Sequence, residues 1–480
     1  MANPNILLPT DCIVESATIT SLKDGRPISI KDQLLTFQYI ERVDAPYVVG
    51  KIDLIDSAGL INILPIQGGE PVSITVSTFK KDFPQKYDFV IWTVQNRFVQ
   101  QNKQTYSIGL ISKEALTNEI VRVKNKLVGN PADIALTLLK TGGYINSDKD
   151  VFSEPSKFDV SLIAKRRRPF DIINEMAKKS VSVNAVYTSD TTAEEESSTS
   201  ETLESVRGSA GFLFWETKRG YNFFSVDSLC ADPSDNDSES FPTSPLSASH
   251  LWGPYEEKAG NLDNEDGQFN ILESNFISEV DILHSLRRGK YSSLMVFFNH
   301  STGQYDEYVY KLSDTYDSMT QLGNQQKVSL VKVDANNLGD YPSRIMSILL
   351  DHETWYNGKE PASPEPSDGS TSPSQYSDRH KFYASQSIAR YELLKNQACV
   401  VVIPGNIDIC AGDQVNINLI NKVPQQGRSE QLYDPESSGR YLIAEVTHKF
   451  ENNSSIPEKY LTTLRLLRDS YGNVESNRGS

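Results

Sequence analysis

Apolar residues recur at every second position through most of the first 111 residues. The pattern predicts strands over 12–20, 34–40, 47–55, 71–79, 89–98 and 105–111, with turn-forming residues at 23–27, 56–59 and 67–69. Short, regularly spaced strands of this kind predict an antiparallel barrel or sandwich. The period then lengthens. Asn130 followed by Pro131 reads as a helix cap and first turn, Ile134, Leu136, Leu138 and Leu139 supply an apolar face, and Gly142 and Gly143 stop it. A second helix is expected from Pro169 to Lys178, directly after Lys165, Arg166, Arg167 and Arg168. Cations at a helix N-terminus oppose its dipole. A plain solvated loop is the first reading, with compensation by an acidic neighbour or a partner as the alternative.

Beyond this helix the order is interrupted. Residues 190–205 are acidic, rich in hydroxyls and free of aromatics, which predicts a mobile loop. Residues 211–226 predict a hairpin turning at 217–220, and 231–269 is polar with Trp252 and Tyr255 as anchors. Residues 277–286 fit a helix or a strand, 293–298 and 306–311 read as paired strands, and 343–350 reads as a helix. The segment 358–374 has no apolar anchor and is expected to be a flexible insertion. Residues 384–467 then form one complete small unit. A helix over 385–395 leads to an apolar strand over 399–403, a turn at Ala411, Gly412 and Asp413, a strand with Val415, Ile417 and Leu419 on one face, and a hairpin from 441–450 to 460–466.

That last unit repeats the first. Gly69-Glu-Pro-Val-Ser-Ile-Thr-Val76 matches Gly412-Asp-Gln-Val-Asn-Ile-Asn-Leu419: a glycine, an acid, a free position, then alternation. Ile91 to Phe98 matches Ile443 to Phe450 at the isoleucine, the valine, the cation and the phenylalanine, and Tyr106 and Leu110 match Tyr460 and Leu464. Alternating strands resemble one another by construction, so one match means little. Three in the same order predict an internal duplication of a small barrel, against two unrelated antiparallel sheets.

Composition narrows the function by exclusion. The formal net charge of −16 disfavours a surface that grips nucleic acid, because such affinity comes from clustered Lys and Arg. No apolar run approaches the roughly 20 residues of a membrane span, and the N-terminus lacks a signal-peptide pattern, so a cytoplasm-like compartment is expected. Cys12, Cys230, Cys399 and Cys410 form no Cys-x-x-Cys pair and are expected to be buried free thiols. Six histidines show no metal-binding spacing, and no phosphate loop, dinucleotide fingerprint or nucleophile elbow occurs. His448 shares a strand face with Val446 and reads as a core or interface residue. No cofactor, metal site or catalytic residue is expected, and the chain does not read as an enzyme.

The duplicated pattern with helical material between its copies resembles the baseplate hub subunit of contractile-tailed bacteriophages. The resemblance rests mainly on the helix ending Arg390-Tyr-Glu-Leu-Leu394, on 406–415, on 441–450 and on 462–466, with weaker likeness at 52–59 and at the Pro131 helix. It covers about half of the 480 residues, and the two polar insertions are extra to the family pattern. The resemblance implies an α+β, mainly β chain with two tube-like antiparallel β-barrels, over 1–115 and 286–470, flanking an α+β region at 116–285. The second barrel carries a disordered insertion at 357–377, and 471–480 is a polar tail.

Functionally it implies a homotrimer in the virion tail, assembled in the host bacterial cytoplasm, that adapts the hexameric tail tube to the trimeric central spike. Further partners implied are wedge or other baseplate proteins and the tape measure protein, with DNA passing through the channel without specific binding and no membrane partner. The acidic balance is expected to keep that channel from holding DNA. The interface is expected at exposed edges near Gly69, Glu70, Gly412 and Asp413, and at Arg166, Arg167 and Arg168. Rival readings are the spike platform of a related contractile secretion system, which usually continues into a further barrel and a β-helix, a carbohydrate-binding module presenting Trp252 and Trp355, and an envelope-degrading enzyme with two facing carboxylates.

Overall fold

The computed structural model describes residues 6–57, 59–63, 66–100, 103–185, 208–232, 250–257, 265–278, 281–299, 305–323, 332–333, 336–350, 374–422, 433–452 and 458–471. The mobile loop expected at 190–205 lies outside them, as do 357–373 of the insertion expected to be disordered over 357–377 and the tail from 472, whereas 374–377 open a helix that continues to Leu394.

The first stretch is strand-rich as its alternation predicts: β1 (Asp11–Thr20), β2 (Pro27–Ser29), β3 (Leu34–Arg42), β4 (Val49–Asp56), the short helix α1 (Leu60–Ile63), β5 (Pro71–Thr78), β6 (Gln85–Gln100) and β7 (Lys103–Ile111). Every second residue of β4 and of β5 is buried, as expected for strands with one face on a core. Next come α2 (Lys113–Ile120), β8 (Lys126–Gly129), α3 (Pro131–Lys140), β9 (Val151–Ser153), β10 (Val160–Ile163), α4 (Pro169–Lys179), β11 (Phe212–Thr217), β12 (Gly220–Ser225) and α5 (Val226–Cys230). Asn130 caps α3 by accepting from the Ala132 N–H at 3.2 Å. The hairpin β11–β12 turns at Gly220, φ +141°, where a Cβ would sit 2.3 Å from the Asp150 carbonyl oxygen.

The remainder comprises β13 (Leu251–Glu256), β14 (Glu273–Ser278), α6 (Ile282–Arg288), β15 (Ser292–Asn299), β16 (Tyr305–Lys311), β17 (Lys332–Val333), β18 (Asn336–Asn337), β19 (Arg344–Leu350), α7 (Ser374–Leu394), β20 (Gln397–Pro404), β21 (Gln414–Asn418), β22 (Gly439–Glu451) and β23 (Glu458–Arg468). Trp252 and Tyr255 anchor their polar surroundings as expected, Tyr255 with 1% exposure. The helix expected at 343–350 is instead β19, parallel to β15 from Ser293 opposite Arg344 to Asn299 opposite Leu350. Its apolar run is too short for periodicity to decide, and the open edge of β15 decides it.

The fold is predominantly β. One 13-stranded sheet holds most strands, in the order β13-β21-β22-β3-β4-β7-β6-β5-β1-β23-β20-β14, with β2 on β1 and an extra pairing of β22 with β23. That extra pairing closes a ring: β22, β3, β4, β7, β6, β5, β1 and β23 return to β22. Two similar barrels were expected; the observed sheet is continuous, and the ring of the first unit contains two strands of the second. Phe37, Ile52, Leu54, Ile74, Val76, Phe89, Ile108 and Leu110 pack in its core with Phe450 and Tyr460 from the far end of the chain.

Internal equivalence is nonetheless detailed. The order β3-β4-β7-β6-β5-β1 is matched by β14-β20-β23-β22-β21-β13, so β13 and β14, at 251–278, belong with the C-terminal strands. Only β13 departs in direction, running parallel to β21 where β1 runs antiparallel to β5. β6 and β7 slip register between Ile91 and Thr93, and β22 and β23 slip at the corresponding place, between Ile443 and Glu445. Beyond it Val94 lies opposite Ile108 as Val446 lies opposite Leu464. The Tyr-x-x-x-Leu match is therefore displaced by two residues. A two-residue slip keeps the same side chains on the same face, so sequence alone does not detect it.

A candidate assembly site

The turns before β5 and β21 are built alike. The Gly69 N–H donates to the Ile91 carbonyl at 2.7 Å and the Ile91 N–H to the Glu70 carbonyl at 3.0 Å; Gly412, Ile443 and Asp413 repeat this at 2.8 and 2.9 Å. Both glycines have left-handed backbones, φ +92° and +94°, which explains the residue type. The acids also act alike. The Glu70 carboxylate accepts from the Gln67 and Gly68 N–H groups, and that of Asp413 from the Cys410 N–H.

These acids are not the exposed edges the sequence suggested, since Glu70 and Asp413 are 2% and 3% exposed. A carboxylate folded back onto its own turn leaves the surface, and here the turn packs into the protein. Asp413 additionally accepts two hydrogen bonds from Arg219, at 2.7 and 2.9 Å, and one from Trp252 Nε1 at 2.9 Å.

Arg219 belongs to a staple that the sequence reading did not identify. Along 215–219, at the tip of the β11–β12 hairpin, residues 215, 216, 218 and 219 bond to segments from both ends of the chain. Trp215 Nε1 donates to the Ala411 carbonyl at 2.9 Å and the Lys218 N–H to Glu41 on β3 at 2.6 Å. Glu216 accepts from the Val48 N–H, the Ser112 hydroxyl and Lys149 Nζ. Burial pushes the Glu41 carboxyl above its usual range, although the Ala411 and Lys218 N–H groups and the Tyr39 hydroxyl all donate to it. A cavity of about 260 Å³ lies against the staple between Phe152, Trp215, Asn222 and Gly412. The charged groups on its wall, Arg219 and Asp413, bond to each other, which makes this a packing feature.

The basic group divides. Arg168 pairs with Glu119 and Asp171, each at 2.7 Å, and Arg167 pairs with Glu175. The acidic neighbours that the helix-dipole argument offered as the alternative to a solvated loop are therefore present. Arg166 lies exposed in a left-handed backbone, φ +61°. The three arginines are not brought near either glycine turn by any bond described.

The largest apolar exposure on the main sheet lies elsewhere, on the ribbon of β6 and β7. Trp92, Phe98 and Val99 are 51%, 60% and 62% exposed. The sequence read this stretch as an ordinary half-buried strand. Its contrary signals are the run Phe89 to Trp92 and the adjacency of Phe98 and Val99, which break the alternation.

Among the described residues no group of three His, Cys, Asp or Glu side chains could hold a metal ion. His448 is a core residue: its Nδ1 lies 2.8 Å from the Tyr460 hydroxyl, and burial with Lys218 nearby lowers its pKa to about 3. All four cysteines are buried and unpaired with one another.

No family model matches the chain, and no curated protein matches it. Solved structures similar to it include a tail protein from Neisseria meningitidis, at 9% identity and a TM-score of 0.47, covering 95% of this chain and 96% of that one. Another is a prophage tail protein from Shewanella oneidensis, at 8% identity and 0.45, covering 95% and 98%. A third, from Escherichia coli, is described as a type VI secretion component with structural similarity to T4 bacteriophage tail proteins, at 10% identity and 0.37, covering 96% and 78%. The resemblance to tail proteins drawn from the sequence is thus met again among solved structures.

Proposed function

We propose that this protein is a structural subunit of a phage tail baseplate, the central hub, which assembles as a homotrimer and works by binding without turnover. The observation that supports this reading is the duplication: two sets of strands of matching order within the main sheet, each with a Gly-acid turn bonded to an equivalent isoleucine. A chain carrying two like units presents six of them when three copies surround an axis, which suits a subunit that must match a sixfold tube to a threefold spike. The partners in this reading are the tail tube, the central spike, neighbouring baseplate proteins and the tape measure. DNA passes through the enclosed channel without specific binding, helped by the net charge of −16.

Light scattering on the purified protein tests it. The expected mass is three times 53.7 kDa, with end-on images showing six densities in a ring. A protein that stays monomeric both alone and co-expressed with its spike overturns the reading.

A further inference from the structure

The two strand sets of the main sheet are alike except in how their longest strands are covered. β22 outruns β21, which pairs with it only from Gly439 to Leu442. Its outer edge beyond that point is covered by β3, from Glu445 opposite Arg42 to Glu451 opposite Thr36. β6 outruns β5 in the same way: their ladder ends at Val90, with Gly69 and Glu70 closing on Ile91. Residues 93–99 then pair with β7 on one side and, among the described residues, with no strand on the other. An open strand edge is a template for another strand.

The strand equivalent to β3 is β14, and its outer edge is also unpaired among the described residues. Ile277 on it is 53% exposed. The correspondence holds residue by residue. Ile52 and Val401 lie opposite the equivalent Ile108 and Leu464, and Phe37 and Ser274 lie opposite Ile52 and Val401 in turn. Both open edges carry one extra residue relative to their counterparts: β6 has an irregularity between Gln95 and Phe98, and β14 one between Phe276 and Ser278. Transferring the pairing of β22 with β3 sets these two irregularities opposite each other, so the register recovers on the far side.

We propose that the 93–99 edge of β6 is completed by β14 of a second copy of this chain, antiparallel, with Gln95 opposite Ser278, Phe98 opposite Asn275 and Val99 opposite Ser274. It repeats between chains the contact that β22 and β3 make within one. Each copy then offers β6 to one neighbour and β14 to the other, a heterologous contact whose rotation closes a ring. Alternating the internal and the intermolecular pairing around three copies sets six sheets at steps of about 60°. The exposed Phe98, Val99 and Ile277 are covered in the process. This inference rests on the trimeric reading above and supplies its contact.

Paired cysteines test it. V99C/S274C, oxidised mildly and run without reductant, should give a ladder ending at the trimer, about ten-fold above the background of either single variant, because opposed strand residues meet disulfide geometry. The four native thiols are buried and set that background. Co-expressed V99C and S274C single variants should give a mixed dimer, which only an intermolecular contact allows. A preparation that light scattering shows to be trimeric but that yields no ladder overturns the pairing and leaves the trimer standing. A preparation that is monomeric with and without the spike overturns both.

Discussion

The two glycines that begin the repeated turns share a backbone conformation but not surroundings. A Cβ on Gly69 would have Leu22 Cδ1 as its nearest neighbour at 3.9 Å, whereas one on Gly412 would lie 2.4 Å from Trp215 Cζ2. Gly69→Ala should therefore cost only the left-handed backbone, about 1–2 kcal/mol. Gly412→Ala adds overpacking against a buried indole and should cost about 3–5 kcal/mol. Urea midpoints of the two variants compare them directly. His448 gives a pH dependence at the same scale. Its folded pKa, about 3, lies below the ordinary 6.5, so the unfolded chain binds the extra proton first on acidification. The contribution is complete above pH 6.5 and falls by about 1.4 kcal/mol per pH unit below it. Buried carboxyls held high, such as Glu41, act in the opposite sense, so the comparison must be differential. His448→Gln should lose less stability than the parent between pH 6.5 and about 5; equal losses would refute the assignment.

At the scale of elements, the β11–β12 hairpin and the α4 terminus make a controlled contrast of ion pairs. Arg219→Ala leaves Asp413 buried without its cation and should cost about 3 kcal/mol or more. Arg168→Ala removes pairs between well-exposed partners and should leave the midpoint in the same denaturation measurement nearly unchanged. Elements were legible in the sequence where one period ran long enough, as in β4, β5 and α3. Residues 343–350 failed because seven residues with apolar side chains at 345, 346, 348, 349 and 350 satisfy both periods. The placement of β13 and β14 was not legible, since their pairing with strands more than 100 residues later leaves no local trace. The glycine turns were recognised, but their burial was not, because carboxylates that cap their own loops look like surface acids in sequence. The staple at 215–219 was likewise invisible, its partners being Glu41, Ala411 and Asp413 from both ends of the chain.

For the whole molecule, charge and edge exposure make opposing demands on assembly. Three chains of net −16 repel one another, while the edges proposed to join them carry Phe98, Val99 and Ile277. Raising salt from 0.1 to 1 M shortens the screening length from about 10 to 3 Å, which relieves the repulsion without weakening apolar burial. Sedimentation should therefore show a tighter trimer at high salt; a looser one would point to an interface built from ion pairs.

The ring of eight strands also fixes a timetable. Its two closing strands, β22 and β23, come after the other six in chain order, and Phe450 and Tyr460 complete a core begun by Cys12 and Val14. Until residue 439 onward has been synthesised, β3 and β1 keep bare edges and the earliest core stays open to water. An interrupted translation product therefore cannot finish even its first unit.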